Sequence, residues 1–363
     1  MRVVLLSRQF NRAGLEVLEA LASAPGCELA AILLPPFGRS EAARRRLDRA
    51  WSAPWERLAY RIGCRYQGAQ PLRFEASTSR RAHTLGVPVG LVASFDEASA
   101  RDRIRACEPD LIVIGGGWPR LVPPDVVATA RFGAINVHPS LLPAFRGTDV
   151  HRWQIAAGAR RSGVTVHRVD DHFDSGAILA QESFEVGLRD SPQVLADRAA
   201  ALSGRLVARI IEHWPPDAPA GSGPPDPPGP ETALHGRWPW ADSDFLAIDP
   251  AKSAVEIERF VRAATQESFT YHGAWIDVGG TAFIVRAASQ HAAGMNMNAR
   301  QGELSTIDGW PVLQCGDGAL RLDRVQPRRP HPNRTRSMSG AAFARRVLRA
   351  QTFMCAHTSS RVD

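Results

Sequence analysis

Three polar side chains stand out by type and by place. Asn136 and His138 lie two residues apart in AINVHPSLLPAFRG, Ala134 to Gly147, and Asp174 lies in the polar loop DDHFDSG. Two apart on a strand, Asn136 and His138 project to one face. A neutral amide donor beside an imidazole suits an oxygen that becomes negative during acyl transfer. A loop carboxylate such as Asp174 can hold that imidazole in one tautomer, raise its pKa and relay a proton. Each residue alone is unspecific, since an isolated His is more often structural than catalytic. The combination carries the chemistry.

Elements that would position these groups are legible on either side. MRVVLLS is an apolar strand, GLEVLEALA from Gly14 has helical spacing, and CELAAILLP is a second buried strand. Strand, helix and strand make a parallel βαβ start, and AINVH would end at the carboxyl edge where open α/β sheets bind ligands. PDLIVIGGG is another buried strand. Its Gly115, Gly116 and Gly117 would let a flat ligand approach the backbone, although GxGxxG spacing is missing. GVTVHRV adds a strand before the Asp174 loop. Ser191 and Pro192 start a helix whose stripe is Val194, Leu195, Leu202, Leu206, Ile210 and Ile211. Residues 39–60 read as surface helices with an arginine run.

PPDAPAGSGPPDPPGP, Pro215 to Pro230, cannot build a core and reads as an extended connector. The expected division is a catalytic domain over 1–213, a linker over 214–236, a second domain over 237–347 and a tail over 348–363. In the second domain SAVEIERFVRAA is a helix. AWIDVGGTAFIVRAA and GWPVLQCGDGALRLDRVQP are hairpins turned at Gly-Gly and Gly-Asp-Gly, which a small β-barrel completes.

The 363 residues are 44% hydrophobic and 22% charged, as in a soluble globular protein, and no apolar run is long enough to span a bilayer. Five scattered cysteines without a CxxC pair indicate neither a disulfide framework nor a zinc site, so a reduced cytoplasm is the expected setting. The net charge is +7, yet Lys252 is the only lysine, so the basicity fits a compositional bias toward Arg as well as an anionic partner.

INVHPSLLPAFRG, followed 36 residues after its His by the Asp of DSG, resembles the signature of formyltransferases that use 10-formyltetrahydrofolate. The resemblance implies an α/β fold: a Rossmann-like parallel-sheet formyltransferase domain with a smaller C-terminal OB-like β-barrel. It implies a catalytic trio of Asn136, His138 and Asp174. Ile114, Gly115, Gly116 and Gly117, with Ser140, Leu141, Leu142, Pro143 and the loop Val169, Asp170, Asp171, His172 and Phe173, would hold the folate. In the implied mechanism Asn136 and protonated His138 steady the oxyanion, Asp174 helps deprotonate the attacking amine, and no metal is needed.

Acceptor choice rests on departures from the methionyl-tRNA branch. SRQFNRAG replaces its motif after the first strand, Pro139 follows the catalytic His where that branch has Gly, and TQESFTYHG replaces NPWP. The counterpart of its tRNA-gripping loop, Phe37 to Arg49, is expanded and different in composition. These favour a small-molecule amine such as an amino sugar or natural-product intermediate. The alternative is initiator tRNA, with the arginines of RLDRVQPRRPHPNRTR as phosphate contacts. A formyltetrahydrofolate hydrolase ranks third. Arg146, Asp149, His151 and Trp153 are the acceptor-side candidates, with Asp149 placed to pair with an ammonium group.

Overall fold

The computed structural model describes residues 1–9, 11–35, 77–118, 120–214, 240, 244–265, 273–291, 300–328 and 337–348, and the backbone of 353–356. The surface helices expected over 39–60, the loop 37–49, the linker from 215 and most of TQESFTYHG lie outside them.

Seven strands form the first sheet: β1 (Arg2–Leu6), β2 (Glu28–Leu34), β3 (Val89–Leu91), β4 (Leu111–Ile114), β5 (Ala134–His138), β6 (Arg161–Arg168) and β7 (Ile178–Glu185). Their spatial order is β3-β2-β1-β4-β5-β6-β7. β1 to β5 pair in parallel. β6 and β7 then run antiparallel, which a wholly parallel expectation misses. Chain order reverses direction between β1 and β4, and this switch point opens a crevice at the carboxyl ends of the strands.

Period-2 alternation splits these strands between two cores. Val3, Leu5, Val113, Ile135, Val137, Val164 and Val166 pack under α1 (Arg12–Ser23) and α6 (Pro192–Glu212). Val4, Leu6, Ile112, Ile114 and Ala134 face the other way, toward α3 (Ala98–Ala106) and α4 (Pro124–Val127). Asn136 and His138 share the parity of Ala134, so they project to this second face. α2 (Thr78–Thr84) lies between β2 and β3 in the chain.

The α6 start is as expected: Ser191 caps by accepting from Val194 N, with Pro192 in the first turn. Val194 itself is a correction, being 36% exposed: the stripe that packs on the sheet begins further along, at Ala199 and Leu202, while Leu195 joins the cluster of the second domain. Among elements not anticipated are β7 and α5 (Val150–Ala156), whose mixed residues give neither period cleanly.

In the second domain, α7 (Ala254–Ala264) opens with a capping box between Ser253 and Glu256, each satisfying a donor of the other. β8 (Trp275–Val278) and β9 (Thr281–Gln290) turn at Gly279-Gly280, and β11 (Trp310–Gln314) and β12 (Ala319–Pro327) turn through Gly316 and Gly318. With β10 (Glu303–Ile307), β13 (Met338–Ser339) and β14 (Phe353–Ala356) they make an antiparallel sheet. The β11–β12 pairing closes it on itself. α8 (Gly340–Phe343) and a following wide turn bury Phe343 and Leu348 against it. The first domain's Ile155 and Leu195 sit in the same apolar cluster, so α5 packs between the two domains.

Candidate active site

β5 and the Asp174 loop bring the expected trio into one network. Asn136 Nδ2 lies 3.0 Å from Asp174 Oδ1, and His138 Nδ1 lies 3.4 Å from Asp174 Oδ2. The His138 and Asp174 side chains are nearly buried, at 5% and 8% exposure, whereas Asn136 is partly open to solvent. Gly147 N–H also donates to Asp174 Oδ2, at 2.8 Å, and His138 Nε2 meets the Phe145 carbonyl at 2.8 Å. Burial pushes the Asp174 carboxyl up, but His138, His167 and the Gly147 N–H outweigh it and hold it well below the usual carboxylate range. Burial also pushes His138 down, opposed by Asp174 and the Phe145 carbonyl.

The backbone is arranged around these contacts. Phe145, Asp149 and Asp174 all take left-handed conformations, with φ of 57°, 55° and 53°. Such clustering of sparsely populated backbone is a mark of functional sites. Gly176 allows the Asp174 loop to close, because a Cβ there would fall 1.9 Å from the Arg168 carbonyl oxygen. Gly176→Ala must therefore displace the loop that carries Asp174. The turnover of this site is expected to fall by on the order of 100-fold, and wild-type kinetics in this variant would refute the strict need for glycine.

His167 was missed from the sequence. It is 2% exposed and sits opposite Asn136 in the β5–β6 register, with Nε2 3.1 Å from Asn136 Nδ2. The signal was present in VTVHR: Val164 and Val166 take the core face, which turns Thr165 and His167 toward Asn136 and His138. Thr165 was missed for the same reason. Its Oγ1 donates to the Ser140 carbonyl at 2.7 Å and accepts from Leu142 N–H at 3.1 Å and from Gln181 Nε2 at 2.8 Å. Gln181 Nε2 also donates to the Leu142 carbonyl. Two neighbouring strands thus pin the SLLP wall.

The residues expected to hold folate are placed unevenly. Ile114 and Leu142 are buried, while Leu141 and Pro143 are half-buried. Ser140 is fully buried and donates to the Ala144 carbonyl, so it shapes the turn. The glycine triplet corrects a simple reading. Gly116 has no room for a Cβ because the Gly14 backbone lies 2.7 Å from where it would stand, and Gly115 is tightly covered by Val17; a Cβ at Gly117, at φ 78°, would only touch the Arg8 side chain. Asp170 accepts from His172 N–H and Ser175 Oγ within its own loop, while Asp171, His172 and Phe173 are exposed. Val169, Asp170 and Asp171 line a hollow of about 400 Å3 against α4, and its lining does not include the trio.

On the acceptor side, Arg146 and His151 lie near enough to His138 to act on its charge. Asp149 has one buried oxygen without a partner, and its charge acts on Arg8 and Arg152. Burial raises the Asp149 pKa, against the pull of those two arginines. Trp153 instead packs edge-on against Trp240 and Phe245, at 5.1 and 5.9 Å between ring centroids, within the interdomain cluster.

His151 Nδ1 lies 3.3 Å from Gln154 Oε1, and burial pushes its pKa down to about 4. The folded value lies below the unfolded one, so this site's stability is complete above about pH 6.5 and is lost as pH falls toward 4. Between pH 7.5 and pH 5 the loss from this ring is at most about 2 kcal/mol. Urea unfolding of His151→Gln should show a correspondingly smaller decline, and identical pH dependence in both proteins would contradict it.

Among the described residues no helix is long and apolar enough to cross a membrane, and no group of three His, Cys, Asp or Glu is arranged to hold a metal ion.

Comparison with known proteins agrees with this geometry. Residues 90–211 match the family described as formyl transferase. Methionyl-tRNA formyltransferase of Ralstonia nicotianae is 30% identical over 233 residues, 64% of this chain and 68% of that one. Its counterpart in Gluconobacter oxydans is 29% identical over 265 residues, 73% of this chain and 80% of the relative. HypX from Aquifex aeolicus shares the fold across 96% of this chain and 48% of its own, with a TM-score of 0.51 at 16% identity. By sequence and by fold, the chain belongs to the formyltransferase family.

Proposed function

We propose that this formyltransferase moves the formyl group of 10-formyltetrahydrofolate to a primary amine, and that the amine is that of methionine carried on initiator tRNA. The observation that carries the transfer reading is the network joining Asn136, His138 and Asp174 at the carboxyl end of β5, with His138 buried and Asn136 partly open to solvent. The donor supplies an activated formyl carbon. The half-buried Leu141 and Pro143 suit a flat apolar ring system there.

In this reading the Nε2–H of His138, which rests on the Phe145 carbonyl, turns to the formyl oxygen as that oxygen gains charge. Asp174, ionised at rest, holds the His138 ring through Nδ1 and takes the proton shed by the attacking amine, directly or through a water; as the formyl C=O re-forms, the bond to the donor nitrogen breaks and that nitrogen takes the proton up. The acceptor assignment is supported by the names and coverage of the relatives, which weigh against the preference for a small molecule drawn from sequence departures.

A small-molecule amine is the second reading, and two observations favour it. Asp149 has a buried unpaired oxygen that fits an ammonium group. Of the arginines offered as phosphate contacts, Arg321 is engaged by Asp323 and the Trp310 ring, and Arg328 lies over Trp275. Incubation with 10-formyltetrahydrofolate and either charged initiator tRNA or a panel of amino sugars and diamines separates the two. Formyl-methionyl-tRNA at an enzymatic rate supports the first; turnover of the panel alone transfers the assignment to the second. Formate release without either acceptor would indicate a hydrolase.

A further inference from the structure

The amide of Asn136 has two hydrogens, and both are engaged. Asp174 is ionised and accepts only, so the Asn136 atom 3.0 Å from its Oδ1 must be the NH2 group. The same nitrogen lies 3.1 Å from His167 Nε2. His167 Nδ1 is 2.7 Å from the Arg168 carbonyl, which can only accept, so Nδ1 carries a proton; the 3.1 Å contact between Nε2 and an NH2 group is a hydrogen bond only with Nε2 as the acceptor. Asn136 Oδ1 has no partner among the described residues, and Asn136 is partly exposed. This orientation departs from the expectation that Asn136 gives an N–H to the oxyanion.

We propose that His167 is a positioning residue that sets the Asn136 amide with its carbonyl oxygen toward the open side of the site, where that oxygen accepts a hydrogen bond from the incoming amine. A neutral amine attacks through its lone pair, so an acceptor for one of its N–H groups orients that lone pair. Without Nε2, one amide hydrogen of Asn136 loses its anchor and the side chain can turn over. His167 therefore acts through Asn136, from the adjacent strand. The role of the amine rests on the formyl-transfer reading; the orientation of Asn136 does not.

The experiment compares His167→Gln, which keeps an acceptor oxygen, with His167→Phe, which keeps the ring and removes both nitrogens. His167→Leu serves if Phe does not fold. The chain has five asparagines, so 15N-asparagine labelling resolves the Asn136 side-chain amide, identified by its loss in Asn136→Asp. In wild type both of its protons should be deshielded and protected. In His167→Phe one should move upfield, and in His167→Gln it should return. With the acceptor that the wild type uses, kcat/KM for the amine should fall on the order of 10- to 100-fold in His167→Phe, with KM for the formyl donor unchanged and Gln restoring most of the loss. An Asn136 amide indifferent to His167→Phe would overturn the proposal, as would Gln and Phe variants equally impaired toward donor and amine. Should the wild type formylate neither acceptor pool, the transfer reading fails while the amide spectrum still decides the orientation.

Discussion

Asp174→Asn is expected to lower kcat for formyl transfer by on the order of 1,000-fold or more, with the fold retained. The left-handed backbone at Asp174 suits Asn, so the loop need not move. What changes is the set of partners. Asp174 accepts from Asn136 Nδ2 on one oxygen and from Gly147 N–H and His138 on the other. An amide places an NH2 against one of those donors whichever way it turns. It also removes the anion that opposes the burial penalty on His138, so the ring loses its principal reason to carry a proton. Steady-state transfer measured beside a thermal melt tests this, and a folded Asp174→Asn enzyme within tenfold of wild type would sink the proton-handling role.

Asn136→Ala should cost on the order of 100- to 1,000-fold in kcat, the size typical of one lost polar contact to the reacting centre. Stability should fall by about 1–3 kcal/mol, because a buried carboxylate and a buried imidazole each lose a donor. The two measurements separate causes. If urea unfolding moves as expected but kcat stays near wild type, Asn136 only ties Asp174 to His167. Replacing it by Asp should be worse for folding than by Ala, since a second carboxylate would then face Asp174.

Much of the fold was readable locally. β1, β2, β4 and β5 are short apolar runs, α6 begins at a Ser-Pro cap, and both barrel hairpins turn at glycines whose positive φ the turns require. The period-2 spacing of Asn136 and His138 was enough to place them on one face, and the DSG loop was enough to name Asp174. Harder to read were β7 and α5, where half-buried residues blur the period, and the antiparallel direction of β6, which depends on its strand neighbours. The glycine triplet shows how local reasoning misassigns a cause: Gly115 and Gly116 are small because α1 presses on them.

By itself, then, the order of residues determined which chemistry was on offer, because side-chain types and strand parity are properties of neighbours in the chain. Only the folded molecule decided how those groups are wired. His167 faces Asn136 through an antiparallel pairing 31 residues away, Gly147 N–H reaches Asp174 across 27, and Thr165 pins the SLLP wall from another strand. Hydrogen bonds depend on the placement of atoms to within a few tenths of an ångström, and that placement is set by packing between distant segments.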